Sequence, residues 1–331
     1  MKTVKRSWIL SVVMVLAFVS SVCPALGANY NFKLGHVTQT SHPFHPAATL
    51  FADAVKSKTG GQVEITVYPA RQLGDDKALM EGVQLGTIEM AVISTAIFDL
   101  ITPILNALQL PWLIEDYSKA EKVYGSPALQ NLMAGLAKFN IKGLGVYEGG
   151  FRHFINTKGP INTIEDFKGL KTRVVPAALH LAIWKALGAS PTPMAYGEVY
   201  TSLQTGVLDS AEMNLTSIYS EKYYEVAKYV SLTGQYMWPG ILVINKKLFD
   251  SLPKDIQAKM EEAAKEILSK QIAETKAMDD RAVEFLKKQN IPINNVKNLQ
   301  PMIKAVEPVF KEYEGKDPAI GQFVTAVRAI K

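Results

Sequence analysis

Thiol chemistry is almost missing from this chain. A single cysteine, Cys23, stands among 331 residues, and it lies in an N-terminal segment that reads as an export signal. Cleavage after Gly27 or Ala28 would remove it, leaving no disulfide, no thiolate nucleophile and no cysteine metal site. A lipoprotein would need Cys23 as its first mature residue, and the preceding Ser20-Ser21-Val22 fits that poorly. Long apolar runs are also missing beyond the first 28 residues, so the mature chain is not expected to span a membrane, which takes ~20 apolar residues. Charge of one sign is scarce too. The whole chain carries +5, and removing Lys2, Lys5 and Arg6 leaves +2. That balance gives no electrostatic case for a nucleic-acid partner. There is no G-x-S-x-G elbow, no H-E-x-x-H and no P-loop, and no repeat or low-complexity segment. Gly143-x-Gly145-x-x-x-Gly149 is one residue too long for a dinucleotide fingerprint and leads into a strand. His42 and His45, with His36 nearby, lack a carboxylate or cysteine at metal-ligand spacing, so neither metal nor cofactor is expected. Asn214-Leu215-Thr216 matches a glycosylation sequon, a pattern short enough to arise by chance.

What is present begins with that signal. A basic start precedes an apolar run from Trp8 to Val19 broken by Ser11, and small residues follow at Ala25, Gly27 and Ala28. This order is that of a secretory signal peptide, and an uncleaved anchor is the alternative. About three hundred remaining residues suffice for a hydrophobic core without disulfides and suggest two domains.

Strand-like and helical patterns then alternate. Phe32–Val37 reads as a strand. Pro43–Lys58 reads as a helix, with Phe44, Ala47, Ala48, Phe51, Ala54 and Val55 on one face and Gly60-Gly61 after it. Val63–Tyr68 alternates as a strand, Asp75–Leu85 is a helix with acids in its first turn, and Ile88–Ile93 is a buried strand. A strand ends in a glycine pair near 143–150. A second series follows: strand Phe151–Asn156, short helix Thr163–Phe167, strand Leu170–Val175, helices Ala177–Leu187 and Gly197–Gln204, and strand Val207–Glu212. Ile241–Ile244 looks like a strand returning to the first sheet. A long helical stretch from Pro253 to about Gln289 and two further helices end the chain. The class is α/β, with two lobes and a ligand cleft between them, and two crossovers make a hinge.

Several segments, in order and spacing, resemble the DctP-type solute-binding proteins of tripartite ATP-independent periplasmic (TRAP) transporters. They include Leu34-Gly35-His36-Val37, Gln72-Leu73-Gly74, Gly82 to Met90, Gly149-Gly150-Phe151-Arg152 and Glu165 to Val174. The most specific stretch is Leu187-Gly188-Ala189 through Pro193-Met194-Ala195-Tyr196 to Leu203-Gln204-Thr205-Gly206. The resemblance implies a two-lobed periplasmic binding protein fold with a long C-terminal bracing helix. The expected division is a signal peptide over 1–28, lobe one over 29–150 plus about 239–252, lobe two over 151–238, and C-terminal helices over 253–331 packing across both lobes.

The resemblance also implies a ligand carboxylate held by Arg173 and a second arginine, Arg152, at the lobe junction. Tyr196 resembles an aromatic that packs on the ligand. A guanidinium suits the task because its planar fork matches a carboxylate and stays charged at any working pH. Plainer alternatives stand beside each: a surface arginine for Arg173, a bond across the hinge for Arg152, core packing for Tyr196. The family's Asp-Gly turn is followed by Glu-Asn. Here Ser210 replaces the glycine and Met213 stands where the ligand-contacting asparagine is usual. Either Asn214 takes over or the pocket is more apolar there. Trp238 lines the cleft or seals the hinge; Glu148, His36 and Gln72 are weaker pocket candidates.

The function expected is a periplasmic, non-enzymatic binding subunit. It would capture a small organic carboxylate (a dicarboxylate, sugar acid, or hydroxy or keto acid) and deliver it to TRAP membrane permease subunits. A sensor subunit and a secreted enzyme of similar shape are the rivals; the second lacks a nucleophile–base pair in the sequence.

Overall fold

The computed structural model describes residues 30–330. The expected signal peptide and its cleavage site lie outside the described residues. Ten strands form one continuous sheet system: β1 (Tyr30–Gly35), β2 (Val63–Tyr68), β3 (Met90–Ser94), β4 (Ile141–Asn156), β5 (Lys171–Val174), β6 (Ser190–Pro193), β7 (Ser210–Asn214), β8 (Tyr229–Leu232), β9 (Met237–Asn245) and β10 (Ile293–Asn295). Their order is β2-β1-β3-β9-β4-β7-β5-β6, with β8 joining β4 to β10. β1 to β3 pair in parallel through crossover helices, as right-handed α/β units require. β9 then returns antiparallel to β3, with Met90 opposite Ile244.

Two strands tie the lobes together. β4 pairs with β9 from Ile141 onward in the first lobe, and its end from Arg152 to Asn156 pairs with β7 in the second. The expected break at the glycine pair is therefore a bulge inside one 16-residue strand. Gly150 takes φ +109°, which bends the strand without ending it. The expected long C-terminal helix is likewise divided, into Lys254–Glu266 and Leu268–Lys288 about Ile267, although no proline or glycine stands there. Val207–Glu212 was expected as a strand; β7 starts only at Ser210. Val207 is solvent-exposed, and Asp209 is held in a turn by the backbone N–H of Lys171.

Local chemistry accounts for the element that presents the cleft's acidic wall. Gly74 at φ +106° turns the chain, Asp75 is the extended N-cap, and Gly86 in the left-handed region closes the helix Asp76–Leu85. The second lobe is centred on Phe154, Phe167 and Trp184, all fully buried, with Phe154 stacked on Trp184 at 5.1 Å. Each such ring contributes about 1.5–3 kcal/mol by burial.

The helix Leu268–Lys288 lies against the bend of β4. Gln271 receives the N–H of Glu148 at 2.9 Å and donates to its carbonyl at 2.7 Å, and the Thr275 hydroxyl donates to the same carbonyl. The same helix packs on Leu215–Ser220 of the second lobe, while Pro318–Ala329 packs on Pro127–Ala134 of the first. No described helix is long and apolar enough to cross a membrane.

Candidate functional site

A cavity of about 310 Å³ opens between the lobes, at the small end of the ~300–1,000 Å³ typical of small-molecule sites. Its walls come from three sources. Asp75, Asp76, Lys77, Ser94, Ile97 and Leu100 belong to the first lobe; Arg173, Val175, Pro176, Ala195 and Tyr196 to the second; Arg152 and Trp238 to the connecting strands.

Sheet register brings the charged groups together. Arg152 on β4 lies opposite Asn214 on β7, and Arg173 on β5 lies opposite Ala211 of the same strand. The carboxylate of Glu212 thus falls between two guanidinium groups. Arg152 donates from Nε to Glu212 Oε2 and from Nη2 to the Glu212 carbonyl at 2.7 Å. Arg173 Nη1 is 3.9 Å from Glu212 Oε1, too long for a hydrogen bond, while its Nε donates to the Met194 carbonyl at 3.0 Å. All three side chains are at least 98 % buried. Nη1 of each arginine has no hydrogen-bond partner.

The electrostatics follow from that arrangement. Burial opposes the Glu212 carboxylate, but Arg152 overcomes it and holds the group ionised, down to about 2. Burial lowers the Arg173 pKa, aided by Arg152 and resisted by Glu212. His180 Nδ1 lies 3.6 Å from Glu212, and burial lowers its pKa, so the ring adds no charge near neutrality. Glu212 bonds Arg152 and leaves Arg173 without a direct carboxylate partner, while Asp75 and Asp76 line the same cavity and Arg173 acts on the Asp76 carboxyl. Buried donors left unpaired are costly, and an anion seated on the free Nη1 groups removes that cost.

An aromatic floor supports the arginines. Tyr196 stacks on Trp238 at 5.6 Å, and the Arg152 guanidinium lies 5.4 Å from the Trp238 ring centre. Trp238 Nε1–H donates to Ser94 at 2.8 Å, and the Tyr196 hydroxyl donates to Ser217 at 2.9 Å. Both rings therefore line the cavity with faces or edges while their polar atoms are engaged elsewhere.

The structure gathers Arg152, Arg173, Tyr196 and Trp238 around the cavity. Five other candidates lie outside its lining. Glu148 sits beneath the bend, accepting the N–H groups of Gly150 and Trp238 and the Tyr124 hydroxyl. Burial raises its carboxyl to about 7. Asn214 donates to the Gly149 carbonyl at 2.7 Å. Met213 is fully buried on the opposite face of β7 from Glu212, as strand alternation demands. His36 is buried between Thr38 and His45. Gln72 is exposed in the turn after β2. His36 bonds His45 within the first lobe, whereas His42 Nε2 meets Asn214 and Thr216 of the second lobe at 3.3 and 3.2 Å, and no group of three metal-ligating side chains exists among the described residues.

Sequence reasoning passed over Asp75, Asp76 and Ser94 as cavity-lining residues and Glu212 as the buried partner of the arginines. Asp75-Asp76 reads equally well as ordinary acidic residues at a helix start. Asp76 Oδ1 accepts the Ser94 N–H at 3.3 Å, and burial raises its carboxyl to about 7. Asp75 Oδ1 is buried without a partner. Across the mouth, Arg71 of the first lobe donates to both oxygens of Glu221 of the second, at 3.1 and 3.3 Å.

Two α/β lobes, joined by paired strands and enclosing a cavity lined by two buried arginines, define a two-lobed solute-binding protein. The chain belongs to the DctP family, described as bacterial extracellular solute-binding protein, family 7, whose model matches residues 34–316. It is a TRAP-type solute-binding protein. One relative is the 2,3-diketo-L-gulonate-binding periplasmic protein YiaO of Escherichia coli, 34 % identical over 72 % of this chain and 73 % of its own. Another is the C4-dicarboxylate-binding periplasmic protein DctP of Rhodobacter capsulatus, 31 % identical over 80 % and 79 %. A TRAP periplasmic solute-binding protein from Xanthobacter autotrophicus, solved with β-D-galacturonate, is 30 % identical with a TM-score of 0.86, covering 91 % of this chain and all of that one.

Proposed function

We propose that this protein works in the periplasm, captures a small organic carboxylate on Arg173, and delivers it to a TRAP membrane permease. The observation that carries this reading is the pair of buried guanidinium groups in the cavity wall whose Nη1 donors lack partners. Relatives of both sugar-acid and dicarboxylate type support the ligand class. The lobes are 29–150 with about 239–252 and 151–238, and the helices of 253–331 brace them. They close about the bend at Gly149-Gly150, and a ligand that contacts both lobes shifts the population toward the closed form. Nothing in this cycle requires a bond to be made or broken.

The test is calorimetric titration of the exported form, with D-galacturonate, 2,3-diketo-L-gulonate and succinate as probes. A ligand at one hundred times its Kd should add about 2.7 kcal/mol to unfolding stability. Arg173→Lys keeps the charge but loses the planar fork and the bond to the Met194 carbonyl, so its affinity should fall at least tenfold in a variant that still unfolds cooperatively from a somewhat lower midpoint. Undiminished affinity in that variant would remove Arg173 from the anchor role.

A further inference from the structure

Resting on the reading that the lobes close over a ligand, we propose that Asp99 is a positioning residue that holds them closed, by capping from the first lobe a helix of the second. The helix is Ala178–Ala186. Its own N-cap residue is Ala177, which offers no side-chain acceptor, and its first turn carries no acid. A helix start leaves backbone N–H groups unpaired and carries partial positive charge, so an anionic acceptor there is stabilising. Here the acceptor comes from the other lobe. Asp99 Oδ2 accepts the Ala178 N–H at 2.6 Å.

The carboxylate is oriented for this task. Its Oδ1 accepts from Asn106 Nδ2 at 2.7 Å, and Asn106 is buried in the short helix Ile104–Gln109. With one oxygen tied inside its own lobe, Asp99 presents the other to the second. In the same turn of the second-lobe helix, His180 Nε2 meets Gln109 Oε1 of the first lobe at 3.3 Å. The seam runs along the edge of the cavity: Leu100 follows Asp99, Pro176 precedes Ala177, and both line the cavity. Separation of the lobes along this edge leaves the Ala178 N–H to water. The cap therefore adds its free energy to the closed form alone and shifts the population toward it.

The experiment takes the tightest-binding of D-galacturonate, 2,3-diketo-L-gulonate and succinate and follows it by calorimetry and stopped-flow tryptophan fluorescence, Trp238 lying in the cavity wall. Wild type, Asp99→Ala and Asp317→Ala are compared. Asp317 is the control, because it caps its own helix, Pro318–Ala329, through the Ala319 N–H at 2.8 Å. Asp99→Ala should weaken binding about fivefold, as loss of an ordinary cap does, through faster dissociation at an unchanged association rate. Asp317→Ala should lower the unfolding midpoint and leave both rates alone. Amide exchange is the second measurement: saturating ligand should slow exchange at Ala178 at least fivefold in wild type, and by less in Asp99→Ala. A Kd within twofold of wild type in folded Asp99→Ala overturns the proposal, as does an equal rise in dissociation rate in Asp317→Ala or an Ala178 amide indifferent to ligand. Should Asp99→Ala fail to fold, amide exchange in wild type decides. Absence of binding by all three probes overturns the carboxylate reading and the latch with it, whereas unchanged affinity in a protein that binds a probe overturns the latch alone.

Discussion

Replacing Gly150 by alanine should expose how the bend between the lobes is held. Gly150 has φ +109°, a conformation open to glycine and strained for an L side chain by about 1–3 kcal/mol. A Cβ there would stand 2.9 Å from both carboxylate oxygens of Asp279 on the helix Leu268–Lys288. The side chain would have to move, breaking the bond it accepts from the Tyr117 hydroxyl. A buried bond to a charged partner contributes roughly 1.5–3 kcal/mol. The expected loss is thus about 2.5–6 kcal/mol, read from denaturant unfolding as a lower midpoint at constant slope. A double-mutant cycle separates the two causes. In an Asp279→Ala background the steric contact is gone, so Gly150→Ala should cost only the backbone part, and the cycle should show a coupling of about 1.5–3 kcal/mol. Additivity within ~0.5 kcal/mol would mean the residues do not interact and would refute this account of the bend.

The Arg71–Glu221 pair links residues on either side of the cleft, and its partners are 23 % and 9 % exposed. Discounted for solvent, it is worth up to ~1 kcal/mol, so Glu221→Gln should weaken ligand binding up to about fivefold at low salt, measured by calorimetry; an unchanged Kd would deny it a part in closure. His153 is buried, accepts the Gly234 N–H on Nδ1 at 3.1 Å, and is held by burial down to about 3. The unfolded chain binds this proton first, so its stabilising contribution is complete above pH ~6.5 and is lost as pH falls toward 3. By pH 5 the loss should reach roughly 2 kcal/mol in wild type and be missing from His153→Gln, compared by unfolding at pH 7 and pH 5; parallel losses would sink the assignment.

Local patterning was enough for the elements whose side chains alternate or recur on one face. Val63–Tyr68 occupies the expected residues, and the helix after Pro43 ends at Lys58 before its glycines. The return of β9 to the first lobe's sheet was also legible, from a β-branched run after Pro239-Gly240. Elements stabilised by pairing alone were not. β6 is Ser190-Pro191-Thr192-Pro193, an edge strand with two prolines and no apolar pattern, and β10 is three residues long. Their backbone partners come from distant sequence, so no local signal marks them.

The site divides in the same way. Residue type and family resemblance pointed to Arg152, Arg173, Tyr196 and Trp238, and the cavity is lined by them. Glu148 and Asn214 proved to bond the backbone around the bend, a role set by where β4 turns and which helix covers it. The amino-acid sequence by itself determined the α/β alternation, the supply of guanidinium groups and the glycines that allow the bend, because each depends on periodicity or on the chemistry of one side chain. Tertiary structure alone decided that Glu212 bonds one arginine and not the other, and that Asp75 and Asp76 line the cavity with them. Those facts are sums over groups from separate strands and helices, and only the sheet register and the closure of the lobes bring such groups within reach of one another.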